Sequence, residues 1–169
     1  MIAVTFALPQ ESRDFRHALR HASAVGAGAR PFLLGNIGDE EVLLGHTGVG
    51  PAAAAENVAA LLAFRRPRLL ISTGFAGGLD PRLATGDLLV AVNFSAPELF
   101  ARCRAVLGAG ARASFGTLTS QPHPAETVAE KAALAHATGA RGVDMETAAI
   151  AAACAREDRK STRLNSSHG

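Results

Sequence analysis

Residues 141–154, Arg-Gly-Val-Asp-Met-Glu-Thr-Ala-Ala-Ile-Ala-Ala-Ala-Cys, narrow the possible folds most. Gly142-Val143 reads as the end of a strand. Asp144, Met145 and Glu146 then arrive together, and an alanine-rich helix begins at once. In α/β proteins, ligand chemistry gathers at such strand-to-helix junctions. Asp144 can cap the helix, and Glu146 lies in its first turn, where the macrodipole favours a carboxylate. From this stretch alone the two carboxylates are either helix caps or parts of a site.

The rest of the chain repeats the pattern. Ile2 to Leu8 is a continuous apolar run, predicting a buried strand. Pro9 breaks it, and Glu11 opens a predicted helix to about His21. Ser23 to Arg30 is small and Gly-rich, a predicted loop. Phe32–Leu34 and Glu41–Leu44 read as a hairpin turning at Gly38-Asp39. His46-Thr-Gly-Val-Gly50 is a glycine loop, and Pro51 starts a helix to about Phe64. Predicted strands follow at 68–73, 88–92 and 113–119, and helices at 96–107 and 125–138. Strands alternating with helices predict an α/β fold: one mixed sheet flanked by helices in a single domain.

Composition agrees. The chain has 169 residues, enough for one sizeable core, and is 48% apolar and 19% charged, with no Trp or Tyr. Small aliphatic side chains must therefore do the packing. No apolar run approaches the roughly 18 residues of a bilayer-spanning helix. Residues 1–8 lack the basic front of a signal peptide. Cys103 and Cys154 match no metal spacing, so a reduced, cytoplasmic setting is expected. Lys and Arg total 17 and Asp and Glu 15, of which residues 158–169 hold three and one. Residues 1–157 are thus neutral, without a basic patch interleaved with aromatics, which argues against nucleic-acid binding.

Asp158-Arg-Lys-Ser-Thr-Arg-Leu-Asn-Ser-Ser-His168 is polar and follows an apolar helix without transition. It reads as the in-frame translation of a common sequencing-library adapter. Residues 1–157 are accordingly expected to be a domain truncated at its C-terminal end, and 158–169 an adapter-derived tail.

Singly, the remaining motifs decide little. Gly48-Val-Gly50 could offer amides to an anion, and Gly74-Phe-Ala-Gly-Gly78 could admit a ligand close to the backbone. Each alone reads first as a mere turn, and neither has dinucleotide or P-loop spacing. His17 and His21 stand four apart with Ala18 between, so no zincin motif forms. Glu11 is either a helix N-terminal charge or a catalytic carboxylate. His46 and His123 receive no role.

Together they are specific. Ala7-Leu-Pro-Gln-Glu11, Thr47-Gly-Val-Gly50, Ser72-Thr-Gly-Phe-Ala-Gly-Gly-Leu-Asp-Pro81 with Gly86-Asp87, and Val143-Asp-Met-Glu-Thr-Ala-Ala-Ile-Ala151 occur in this order. Their order and spacing resemble the nucleoside phosphorylase and nucleosidase superfamily, above all the methylthioadenosine/S-adenosylhomocysteine nucleosidases. The resemblance implies that Glu11 activates water, that Glu146 grips the ribose hydroxyls, and that Met145 packs under the sugar. It places Val49, Phe75, Ala76, Gly77 and Asp144 along the nucleoside pocket. It implies no metal or organic cofactor, a small nucleoside as partner, no membrane, and a homo-oligomer for the intact protein. The family's proton donor to the leaving base, an Asp on a strand after the helix at Glu146, has no counterpart here, so this chain is expected to be inactive. Phe75 stands where nucleosidases carry Ser, and Leu118–Pro124 lacks their Gly-Asp-x-Phe pattern. That segment looks more like the hopanoid-associated phosphorylase branch, with phosphate as co-substrate. A nucleoside-binding module without turnover is the remaining alternative.

Overall fold

The computed structural model describes residues 1–26, 31–107 and 112–160, the last three as backbone only. The first half runs β1 (Ile2–Phe6), α1 (Arg13–Ala18), β2 (Arg20–Val25), β3 (Phe32–Ile37), β4 (Glu40–His46), α2 (Pro51–Phe64) and β5 (Leu70–Ser72). The second runs β6 (Gly77–Gly78), β7 (Leu88–Ala91), α3 (Pro97–Leu107), β8 (Ala113–Gly116), β9 (Leu118–Ser120), α4 (Val128–Thr138), β10 (Gly142–Asp144) and α5 (Thr147–Lys160).

The larger sheet is mixed, in the order β2-β3-β4-β1-β5. β1 runs parallel to β4 and β5, while β3 runs antiparallel to β4 and β2. Two small sheets, β6-β10-β9 and β7-β8, carry the second half. The mixed α/β architecture is that read from the sequence, but its strands divide among three sheets.

Strand alternation explains the continuous apolar runs. Ala3 and Leu43 face a cluster with Ala54, Val58, Leu61 and Leu62 of α2 and Ile150, Ala153 and Cys154 of α5. Their neighbours Val4, Phe6, Val42 and Leu44 face the other way, onto Leu19 and Phe15. Both faces of β1 and β4 are thus buried, as a covered parallel pair requires. Small residues let α2 approach closely: a Cβ on Gly45 would lie 2.8 Å from Leu61 Cδ1.

Four local expectations are corrected. The helix predicted from Glu11 to His21 covers only Arg13–Ala18, and the loop predicted from Ser23 begins as strand β2. β2 is polar and almost wholly exposed; its pairing with β3 holds it, overriding local propensity. His17 and His21 therefore lie on different elements, and His21 has φ 53°. The strand predicted over 113–119 breaks at Thr117 into β8 and β9, which join different sheets. α4 starts at Val128 rather than Ala125 because Thr127 is its N-cap and forms a capping box with Glu130 of its first turn. The polar tail of 158–169 begins as a continuation of α5 through Lys160; residues 161–169 lie outside the described residues.

Arg141 ties the small sheets together just before β10. Its Nε donates to Asp80 Oδ2 at 2.8 Å and its Nη1 to the Phe115 carbonyl at 3.2 Å. Its stem fills the space beside Gly116, where a Cβ would meet Arg141 Cδ at 2.3 Å. Arg82 holds Asp80 from the other side through its guanidinium and backbone N–H. Those Arg82 bonds, then the one from Arg141, outweigh desolvation and hold the Asp80 carboxyl well below the usual carboxylate range.

Leu43 is fully buried between β1, α2 and α5. Leu43→Ala is expected to cost about 2–5 kcal/mol in urea unfolding, with an unchanged m-value. Asp80→Asn tests the Arg141 tie. Because the folded-state value is depressed, the ionised carboxylate stabilises the fold above the unfolded-state value, and that contribution fades as pH falls toward the folded one. The urea midpoint of the parent should exceed that of Asp80→Asn by a constant margin above about pH 5, and the margin should narrow below about pH 4.

Candidate active site

Five chain segments meet at one cleft of about 230 Å³. Its lining includes Glu11 after β1, Val49 before α2, Phe75 after β5, and Asp144, Met145 and Glu146 at the β10–α5 junction. Gly77 also lines it. Ala76 is not among the lining residues. Ala7, Leu8 and Val143, which the sequence motifs contain without an assigned role, complete the wall together with Pro124 and Ala125. For Pro124 the available signal was a Pro-flanked loop directly after a strand.

Glu11 is held by backbone donors alone among its described hydrogen bonds. Its Oε2 accepts from Ala7 N–H at 2.9 Å and Leu8 N–H at 3.0 Å, and its Oε1 from Phe75 N–H at 3.3 Å. The last bond brings the Gly74 backbone against the carboxylate: a Cβ there would sit 3.1 Å from Glu11 Oε2. Glycine is what allows the approach.

Glu146 stands at the start of two helices. Its carbonyl accepts the Ile150 N–H, as an N-cap residue's does, so its backbone opens α5. Its Oε1 accepts the Gly50 N–H at 2.6 Å, at the N-cap of α2. Gly50 has φ 91°, in the left-handed region that favours glycine, and Pro51 follows as the first helical residue. A helix N-terminus offers free amides and a positive dipole end to a carboxylate, so the charge is stabilised where it sits.

Asp144 is engaged differently. Its Oδ2 accepts from the Thr147 N–H at 3.0 Å and from the Thr147 hydroxyl, and its Oδ1 from the Ser120 hydroxyl. Ser120 Oγ in turn accepts the Ala148 N–H at 3.0 Å. Both carboxylate oxygens are thus spent on fastening β9 and β10 to the first turn of α5. That geometry fixes where Met145 and Glu146 point.

The glycine loop read as a possible anion cradle is occupied from within. Gly48 N–H donates to the Ala7 carbonyl at 2.9 Å and Gly50 N–H to Glu146. None of the lining residues is Lys, Arg or His. Among the described residues, no group of three or more His, Cys, Asp or Glu is placed to hold a metal ion. No helix among them is long and apolar enough to cross a membrane. His46 is not a loop residue but ends β4, and its Nε2 lies 2.8 Å from Ser12 Oγ. Nothing in the local sequence marked that pair.

Known proteins resemble this chain in sequence and in fold. A 5'-methylthioadenosine/S-adenosylhomocysteine nucleosidase of Listeria welshimeri is 32% identical over 89 residues, 53% of this chain and 38% of that protein. Its counterpart in Staphylococcus haemolyticus is 30% identical over 90 residues, 53% of this chain and 40% of that protein. The matched region is therefore less than half the length of these curated relatives. Among solved structures, the S. pneumoniae nucleosidase of the same name with a transition-state inhibitor superposes with a TM-score of 0.85 at 22% identity, covering 93% of this chain and 80% of that one. A futalosine hydrolase mutant of Helicobacter pylori gives 0.83 at 17% identity, covering 92% and 80%. Finally, the family model of the phosphorylase superfamily matches residues 1–96, from β1 through β5 to beyond β7. With more than half its length matched by that model, the chain belongs to the phosphorylase superfamily.

Proposed function

We propose that this protein is built to hydrolyse the N-glycosidic bond of a purine nucleoside of the methylthioadenosine/S-adenosylhomocysteine kind. The observation that carries the reading is the single cleft in which Glu11 and Glu146 both sit, each held by backbone amides. The names of the relatives support the substrate class.

The chemistry needs two separated carboxylates. Breaking the bond from ribose C1′ to the base nitrogen builds positive charge on the sugar. Glu146, at the α2 N-terminus, grips the ribose hydroxyls, and Met145 packs beneath the ring. Glu11 takes a proton from water, whose oxygen bonds to C1′ as the electron pair leaves with the base. Val49 and Phe75, 53% and 82% exposed, supply apolar surface to the nucleoside. Water rather than phosphate fits a lining that bears three carboxylates and no cation, with the Gly48 and Gly50 amides already engaged. No metal or organic cofactor enters this reading.

The leaving base must also gain a proton. The carboxylates of the cleft are Glu11, Asp144 and Glu146, and each accepts hydrogen bonds in its place. None is offered to the base as an acid, and on this reading the 169-residue chain turns over slowly.

Purine release, followed with and without phosphate, tests the reading. Release should be independent of phosphate; a strict phosphate requirement would mean phosphorolysis instead, and binding without any release would mean a non-catalytic module. A chimera carrying the C-terminal segment of the Listeria welshimeri relative should be faster than the 169-residue chain by about 10²–10⁴-fold, the usual worth of a general acid. In that chimera, Glu11→Gln should lower kcat by a similar 10²–10⁴-fold with little change in KM. Glu146→Gln should raise KM as well as lower kcat.

A further inference from the structure

Ser12 and His46 form a hydrogen-bonded pair that the reaction just described does not use. Ser12 is fully buried and is the N-cap residue of α1, yet its side chain makes no cap bond. A serine at that position ordinarily accepts an N–H from the first helical turn. Here the hydroxyl donates to the Pro9 carbonyl at 3.0 Å, and His46 Nε2 lies 2.8 Å away. A hydroxyl has one proton. With Pro9 receiving it, Ser12 Oγ must accept from an Nε2–H of His46.

The bond from Ser12 to Pro9 brackets Glu11. Pro9 and Ser12 lie on either side of it, and the turn between them is closed by Glu11 N–H to Leu8 O at 3.2 Å and Arg13 N–H to Gln10 O at 3.4 Å. His46 ends β4 opposite Phe6 of β1, one residue before Ala7, whose amide Glu11 receives. The imidazole therefore ties the turn carrying Glu11 to the sheet carrying its amide donors.

We propose that Ser12 and His46 are positioning residues that hold the Glu11 carboxylate on the Ala7 and Leu8 amides, facing the cleft. As a statement about catalysis this rests on the reading of Glu11 as the base. As a statement about the carboxylate's placement it stands alone.

The test uses the whole 169-residue chain, isotopically labelled. Nitrogen NMR of the imidazoles should find His46 protonated at Nε2; Nδ1–H with a bare Nε2 overturns the proposal. Ser12→Ala and His46→Ala should speed amide exchange at Ala7 and Leu8 about tenfold while Val4 and Leu44 keep their rates. His46→Gln, whose amide can still donate to Ser12, should restore slow exchange. Unchanged exchange at Ala7 and Leu8 overturns the proposal, as does equal acceleration in His46→Gln and His46→Ala. If His46→Ala does not fold, the parent's tautomer and the glutamine variant decide. In the chimera, where turnover is measurable, Ser12→Ala should lower kcat by about tenfold to a hundredfold and leave KM nearly fixed; full kcat overturns the positioning role. If instead Glu11→Gln leaves purine release intact while Ser12→Ala frees the two amides, the hydrolytic reading fails and the pair stands.

Discussion

The bond from the Gly50 amide to Glu146 joins residues 96 apart in sequence. On its own such a bond contributes modestly, even with a charged acceptor. What makes it possible is packing. Val58, Leu61 and Leu62 of α2 meet Ile150, Ala153 and Cys154 of α5 over Ala3 and Leu43. The small residues of both helices let them lie close together and start side by side. The free energy comes from the buried aliphatic face; the hydrogen bond converts that contact into a fixed carboxylate position. The cleft is thus an outcome of how the two helix starts are brought together.

The other wall is fixed from the opposite end of the chain. Glu11 depends on β1 for the Ala7 and Leu8 amides and on the Gly74–Phe75 turn after β5, the strand that pairs with β1. Arg141 anchors β10 against Asp80 and Phe115 immediately before the strand delivers Asp144. Both sides therefore rest on strand ends rather than on long loops. Side chains carried on rigid element ends hold their geometry better than side chains on free loops.

How much of this could be read in advance follows from the range of the interactions. β1, β4 and α2 were legible because apolar runs and a first-turn proline act locally: the helix predicted from Pro51 to Phe64 has those limits. The order of the four loop motifs was legible too, and it led to the superfamily. β2 was not, since its residues are nearly all exposed and only β3 makes them a strand. The break at Thr117 was hidden because residues 113–119 carry no Pro and no charge to mark where β8 ends and β9 begins. The capping box at Thr127 and Glu130 is written locally, as a Thr followed three residues later by a Glu. The Ser12–His46 pair spans 34 residues, and no local pattern announces a bond of that kind.

A last consequence concerns charge. The cleft gathers three carboxylates, and the described donors to them are backbone N–H groups and hydroxyls, with no Lys or Arg. Neutral dipoles stabilise an anion without cancelling its field, whereas a salt bridge would direct most of that field at its partner. Elsewhere the chain does use ion pairs, as at Asp80, where Arg82 and Arg141 converge on one carboxylate. The contrast separates two uses of the same group. Asp80 is paired with two cations and serves the fold; Glu11 and Glu146 line the cleft and are held by neutral donors alone among the described bonds. On the proposed reading the species to be stabilised there is a ribose acquiring positive charge, and preorganised negative charge in a partly closed hollow is what lowers that barrier. A cation beside either glutamate would hold the site together equally well but would oppose the charge that develops on the sugar.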